Sequence, residues 1–430
     1  FKNFVSIFNG EIYNFKEIKF ELEKKGYKFK TLTDSEIILP AYDMWGIDFI
    51  NKLNGIFSIA ILDKNKNQIF LIRDRCGIKP LFFYCENSTL VFSSEIEPII
   101  KFPNFKLDFD INSLTSYLIY RYPMDNNNNF YRNIHRVEPG TYLKIKIDTF
   151  DIKKETYWKI PKLNEYSIKN ENEILETLED QIIKSIKYNL ISDAPLGVFL
   201  SGGVDSSLLS SIASKIMNTR IKTYSVGFED NAYDESNDAS LVSKFINSEH
   251  TNIIISKQDF INNIENMIDI KSAPLSIPHE YPLYKLAKVM KKDIKVVLSG
   301  EGVDEVFGGY ARTQKCAHDF IKGRFVANIF DKKLIKNLFS IDTNFNFKNK
   351  NYINYFFSKY NWLNPSEIKD LFKENFSSNI SLEKVQEPWK NVVRNYSSDN
   401  HYDQTLVMFQ KNHLQCLLDR LDIMTMKNSI

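Results

Sequence analysis

The sequence predicts an α/β protein with two unlike layered parts and a helical region after them. Three observations carry that expectation. Residues 1–100 hold short apolar runs separated by amphipathic helical segments and one hairpin-like break, which suits antiparallel strands layered with helices. From residue 171 onward strand-like runs alternate with helical stretches, the pattern of a parallel sheet covered on both faces. Residues 311–430 read as mostly helical and rich in aromatic side chains.

Phe4 to Phe8 is a short apolar run, read as a strand, with Asn9-Gly-Glu-Ile-Tyr-Asn14 after it as a polar turn. Phe15 to Lys25 has an amphipathic helical pattern closed by Gly26. Tyr27 to Leu32 reads as the next strand. Thr33-Asp-Ser-Glu36 then resembles a capping sequence before a helix that runs to Trp45 and stops at Gly46. Ile56 to Leu62 and Gln68 to Ile72 form a hairpin candidate around Asp63-Lys-Asn-Lys-Asn67. Arg73-Asp-Arg-Cys-Gly-Ile-Lys-Pro80 is a charged turn, with short strands at Leu81–Tyr84 and Leu90–Phe92. By residue type alone, Asn9 and Asp34 suit turn capping as well as recognition of the two ends of an amino acid.

Residues 101–170 read as a connecting segment, with a helical stretch at Leu114–Tyr120 and an asparagine-rich loop at 123–129. A long helix is expected over Asn172–Asn189. The central stretch follows: Leu196 to Leu200, then Ser201-Gly-Gly-Val-Asp-Ser206 and a helix over Ser207–Met217. Glycines let the backbone turn tightly there, and Ser206 or Ser207 suits the first helical N–H groups. The product is either a bare helix start or a ring of backbone donors fit for phosphate. Asp205 adds a carboxylate, which makes sense beside phosphate when Mg²⁺ lies between. The glycine spacing and ending of a Walker A loop are absent. Further strands are expected at Ile221–Phe228, Ile253–Ile255 and Ile294–Leu298. The last leads into Ser299-Gly-Glu-Gly-Val-Asp-Glu-Val-Phe-Gly-Gly-Tyr310, a second acidic glycine loop after a strand. Ligands of open parallel sheets gather beyond the carboxyl ends of strands, so both loops could serve one nucleotide.

Composition narrows the classes. A net charge of +2, from 56 basic and 54 acidic residues, gives no overall nucleic-acid signal. No apolar run approaches a membrane span, and four cysteines without zinc-knuckle spacing make no scaffold. A reduced, cytoplasmic setting is expected. The chain opens on Phe1, its first methionine is Met44, and the helical pattern reaching Ile430 has no stop signal, so it reads as a piece of a longer protein.

Ser201–Ser206 resembles the pyrophosphate loop of ATP pyrophosphatases, which split ATP between its α and β phosphates. Asn9–Asn14, Thr33–Glu36, Leu53-Asn-Gly-Ile-Phe57 and Arg73–Leu81 occur in the order found in class-II glutamine amidotransferase domains. Together with Ser299–Tyr310 they make the chain similar to the asparagine synthetase B family across nearly its whole length. The resemblance implies a partial amidotransferase domain at 1–100, the connector at 101–170, and an ATP pyrophosphatase-type synthetase domain at 171–430 that is incomplete at its C-terminus.

The resemblance also implies residue roles. Asn9 and Gly10 would serve the glutaminase oxyanion and substrate site, and Asp34 would bind the glutamine α-amine. Leu200, Ser201, Gly202, Gly203, Asp205, Ser206, Val226, Ser299 and Gly300 would bind ATP. Asp205 and Asp304 would hold Mg²⁺. Glu301 would be catalytic, near the aspartyl β-carboxyl and the ammonia proton. Val303 replaces a position often Gly or Ser, and a β-branched residue there resists left-handed backbone. The family nucleophile is an N-terminal cysteine, a place held here by Phe1, so this chain is not expected to hydrolyse glutamine. Cys76 reads as structural.

The implied reaction makes asparagine from aspartate, ATP and ammonia or glutamine through β-aspartyl-AMP. An amidotransferase acting on another acid and a degenerate non-enzymatic homologue stay open, as does a homodimer.

Overall fold

The computed structural model describes residues 1–161, 170–230, 234–329, 351–364, 367–368, 371, 380–396 and 398–430. The chain divides into two compact units. One comprises Phe1–Lys106, Asn133–Glu301 and Leu417–Ile430; the other comprises Leu107–Arg132 and Gly302–Cys416.

The first unit begins with strands β1 (Phe4–Ile12), β2 (Gly55–Asp63), β3 (Gln68–Arg73), β4 (Phe82–Glu86), β5 (Thr89–Ser93), β6 (His135–Arg136), β7 (Thr141–Lys146) and β8 (Ile152–Thr156). An antiparallel sheet runs β1-β2-β3-β7-β8, and a smaller one runs β5-β4-β6. Alternation along the strands builds two cores. Ile59, Ile61, Phe70 and Ile72 pack with Ile18 and Leu22 of helix α1 (Phe15–Glu23) and with Ile38 of helix α2 (Ile38–Trp45). Ala60, Leu71, Leu143 and Ile145 pack on the opposite face with Leu81, Phe83 and Val137. Successive side chains of a strand point to opposite faces, so one strand serves both layers.

Three expectations change here. β1 runs through Asn9 and Gly10, which pair with Ser58 and Phe57, so the turn is confined to Tyr13–Asn14. Tyr27–Leu32 is not a strand: the Glu36 carboxylate takes the N–H groups of Lys30 and Thr31, each at 2.7 Å, and fixes the segment as a loop. The segment 101–170 carries β6, β7 and β8, two of which extend the first sheet. Gly46 does end α2, at φ +60°.

Helix α3 (Glu171–Asn189) precedes the third sheet of this unit. That sheet holds β9 (Leu196–Phe199), β10 (Lys222–Phe228), β11 (Glu249–Ile255) and β12 (Val296–Leu298), all parallel, in the order β11-β10-β9-β12. Its connections use helices α4 (Val204–Ile216), α5 (Ser236–Phe245), α6 (Lys257–Lys271) and α7 (Glu280–Met290). The chain builds outward from β9 to β11, then returns to place β12 on the other side of β9. The carboxyl ends of β9 and β12 therefore flank the switch point where such sheets bind ligands. The expected layered first part, parallel-sheet second part and helical last part are all present.

The second unit is helical and aromatic. Helices Ile111–Tyr120, Tyr352–Tyr360 and Leu382–Tyr396 surround buried Trp389, with the Tyr360 ring 5.2 Å from Trp389 and 5.2 Å from Phe356. A π-turn at Phe409–His413 sets His413 Nδ1 at 2.6 Å from the Tyr360 hydroxyl.

No helix among the described residues is long and apolar enough to cross a membrane.

Candidate active site

The loop after β9 is closed by its own hydroxyls. The Ser201 N–H donates to Ser206 Oγ at 3.2 Å, and the two hydroxyls are 3.0 Å apart. The Gly203 N–H donates to Ser201 Oγ at 3.3 Å, and Ser206 Oγ donates to the Gly203 carbonyl at 3.2 Å. Ser206 thus clasps the loop rather than capping the helix. The N-cap is Gly203, without a side-chain bond, and α4 starts at Val204, earlier than the sequence suggests. Gly202 has φ +85°, and a Cβ there would lie 2.5 Å from Asp238 Cβ. Only glycine fits that turn. Leu200 is buried beneath it and donates its N–H to Tyr224 at 2.8 Å.

The loop after β12 comes against the first. A Cβ built on Gly300 would stand 3.4 Å from Asp205 Cβ and 3.8 Å from the Ser206 nitrogen. Ser299 Oγ accepts the Glu301 N–H at 3.3 Å. Glu301 Oε1 accepts from Arg420 Nη2 at 2.6 Å, a charge-assisted bond with both side chains largely covered. Val226, on β10, is half-buried. Asp205, Ser206, Ser299, Gly300 and Glu301 are thus gathered at the ends of two neighbouring strands.

Asp304 belongs to the second unit, where its backbone carbonyl accepts the N–H groups of Gly308 at 2.8 Å and Gly309 at 3.2 Å. Val303 causes no strain. Gly302 takes the left-handed conformation at φ +100°, and Val303 begins a short helix.

Among the described residues, no group of three or more His, Cys, Asp or Glu side chains forms a metal cage. Magnesium held through substrate phosphates needs only one or two protein carboxylates. Asp205 fits that demand, on the first turn of α4 beside the glycine loop.

In the first sheet, Asn9 and Gly10 lie on β1 and Asp34 opens a short 3₁₀ turn. The Ile12 N–H donates to Asp34 Oδ2 at 2.8 Å, tying this carboxylate to the end of the strand that carries Asn9 and Gly10. The expected glutamine-binding residues are therefore brought into one neighbourhood.

Sequence reading missed the groups around them. Glu11 follows Gly10, and burial pushes its carboxyl above the usual range; the Asp34 charge adds to the rise and the Lys79 charge opposes it. Asp74, buried, accepts the N–H groups of Phe57 (3.2 Å), Cys76 (3.0 Å), Ile78 (3.1 Å) and Lys79 (3.0 Å). Arg73 donates to the carbonyls of Lys79, Val137 and Gly77. The Arg73–Pro80 turn is thus a rigid scaffold, with Cys76 exposed on it. The run of charges was visible in sequence, but its inward direction was not.

Comparison with known proteins shows the family. Residues 177–430 match the family described as Asparagine synthase, and residues 2–158 match the Glutamine amidotransferase domain. "Asparagine synthetase [glutamine-hydrolyzing] 1" of Bacillus subtilis is 36% identical over 305 residues, covering 71% of this chain and 47% of its own. "Putative asparagine synthetase [glutamine-hydrolyzing] 2" of Methanocaldococcus jannaschii is 32% identical, covering 71% of this chain and 59% of its own. "Amidase chry2" of Gibberella zeae is 27% identical, covering 71% of this chain and 47% of its own. The chain spans about half the length of these curated relatives. With an amidotransferase-like sheet pair followed by a parallel sheet that carries both glycine loops, the chain belongs to the asparagine synthase family.

Proposed function

We propose that the protein makes an amide from a carboxylic acid by adenylation, and that the acid is aspartate. The observation that carries this reading is the approach of Gly300 to Asp205, with a built Cβ 3.4 Å from Asp205 Cβ, at the ends of adjacent strands β9 and β12. Two loops that meet at a switch point make one nucleotide site.

In the proposed reaction the aspartate β-carboxylate attacks the α-phosphorus of ATP. A P–O bond to pyrophosphate breaks and β-aspartyl-AMP forms. Ammonia then attacks the activated carbon, AMP leaves, and the nitrogen gives up a proton. Ser201, Gly202, Gly203 and Ser206 would bind the departing pyrophosphate, through N–H groups and hydroxyls, of which the N–H groups of Ser201 and Gly203 and the two serine hydroxyls now bond within the loop. Leu200, Val226, Ser299 and Gly300 would hold the rest of the nucleotide. Glu301 would sit at the acyl carbon and take the ammonia proton. When bound, Mg²⁺ supplies charge neutralisation for the pyrophosphate. Asp205 would hold it; the same role for Asp304 stays a reading of its motif alone. Asn9, Gly10 and Asp34 would bind glutamine as the ammonia source.

The test is exchange of labelled pyrophosphate into ATP by the full-length protein, with aspartate and then with other carboxylic acids. Aspartate-dependent exchange supports the reading. Exchange with another acid and none with aspartate would reassign the acceptor.

A further inference from the structure

The helix Leu414–Met426 belongs to the first unit from Leu417 on, and charges on successive residues turn to different partners. Asp419 accepts from Arg136 Nη1, and its other oxygen lies 3.7 Å from Arg73 Nη2. Asp422, three residues on, accepts from Lys79 Nζ at 2.8 Å. Positions three apart share a helix face. Arg420 points about a quarter-turn away, since each residue advances about 100° around a helix. It meets Glu301 instead. One stretch of helix thus holds the Arg73–Pro80 scaffold on one side and the Ser299–Glu301 loop on the other.

These ion pairs are covered. Arg73 is 1% exposed, Asp419 8% and Arg420 9%. Burial raises the Asp422 carboxyl, with Lys79 opposing the rise. Buried pairs of this kind are poor stabilisers, because desolvation offsets most of their attraction. What they fix is position. Arg73 is itself pinned by three carbonyls, and Lys79 sits on the turn organised by Asp74. Arg420 Nε is buried without a hydrogen-bond partner among the described residues, so the direction of the guanidinium depends on where the helix puts it and on Glu301. The charge of Lys79 also reaches Glu11, beside Asp34. The far end of the helix is anchored by Met424 in a core with Ile255, Met267 and Tyr281.

We infer that this helix couples the amidotransferase part to the adenylating loop, with Asp419 and Asp422 as positioning residues that hold Arg420 on Glu301. The inference rests on the proposed adenylation chemistry at Glu301. Through Glu301 beside the β-carboxyl, loosening the anchor would leave ATP binding intact and slow both adenylation of that carboxyl and the acyl transfer that follows. It would not slow glutamine hydrolysis.

The experiment uses the full-length protein with Asp422→Asn, Arg420→Met, Arg420→Lys and the Asp422→Asn/Arg420→Met pair. It reads aspartate-dependent ATP–pyrophosphate exchange, KM for ATP, glutamate released per AMP formed, and Tm. With Asp422→Asn we expect exchange kcat to fall about tenfold, KM for ATP to hold within about twofold, and the glutamate-to-AMP ratio to rise about tenfold. Arg420→Met falls further and Arg420→Lys recovers part of the loss. The pair is no worse than Arg420→Met alone, because both changes act through one contact.

Exchange unchanged by Asp422→Asn would overturn the coupling, as would additive losses in the pair. A parallel fall of glutaminase, exchange and Tm would mean a merely structural helix and would overturn it too. Wild-type protein without any exchange overturns the adenylation reading and this inference together, whereas an active wild type with an indifferent Asp422→Asn overturns the coupling alone.

Discussion

Gly10 lies so close to Ile56 that a Cβ built on it would stand 2.0 Å from the Ile56 carbonyl oxygen, and its φ is +145°. No side chain fits either constraint. Gly10→Ala should therefore destabilise the protein by about 2–4 kcal/mol, from backbone strain and overpacking together. Urea unfolding of the variant checks this. A midpoint equal to that of the parent would show that the strands part more easily than the register suggests.

Asp74 gathers four backbone N–H groups around one buried carboxylate. Asp74→Asn keeps one acceptor but turns an NH₂ group toward those donors. We expect a loss of about 2–4 kcal/mol, the range for leaving buried donors unsatisfied and removing a charged acceptor. Thermal unfolding measures it, and faster amide exchange at Cys76, Ile78 and Lys79 would locate it.

The glycine loops were legible because their information is local. An apolar run followed by Ser201-Gly-Gly reads as a strand and a tight turn wherever it is packed. Asn9, Gly10 and Asp34 were singled out by motif alone, and the Ile12–Asp34 bond ties Asp34 to the strand that carries the other two. Tyr27–Leu32 misled because its strand propensity lost to a single carboxylate, Glu36. Thr141, Leu143 and Ile145 alternate as buried positions of β7, a period passed over in a stretch read only as a connector. Asp419 and Asp422 could not be read at all. Their partners Arg73, Arg136 and Lys79 lie far away in sequence, and charges on a helix ordinarily face solvent.

His250 lies between two hydroxyls, with Nδ1 at 2.9 Å from Thr223 Oγ1 and Nε2 at 3.1 Å from Ser225 Oγ. Burial lowers its pKa from 6.5. The folded state then holds the ring neutral while the unfolded state takes up a proton near pH 6.5. Stability should be fully present above that value and fall as pH drops toward the lowered folded pKa. Denaturant titrations of the parent and of His250→Gln test this. The variant should lose that part of the slope, and an unchanged slope would assign it elsewhere.

Asp205 stands on the first turn of α4 beside Gly300. Asp205→Asn preserves size and removes charge. Aspartate-dependent pyrophosphate exchange should fall about a hundredfold or more, as when charge stabilisation is removed from a phosphoryl-transfer site. Folding should be little changed, which the far-ultraviolet circular dichroism spectrum would show. Exchange at the parent rate would remove Asp205 from the site.

The nature of the ATP-derived products is the most direct test of the whole reading. The full-length protein, given ATP, magnesium, aspartate and ammonia, should yield AMP, pyrophosphate and asparagine in equal amounts, followed by ³¹P resonance and amino-acid analysis. ADP and phosphate in place of AMP and pyrophosphate would contradict adenylation at the loops after β9 and β12.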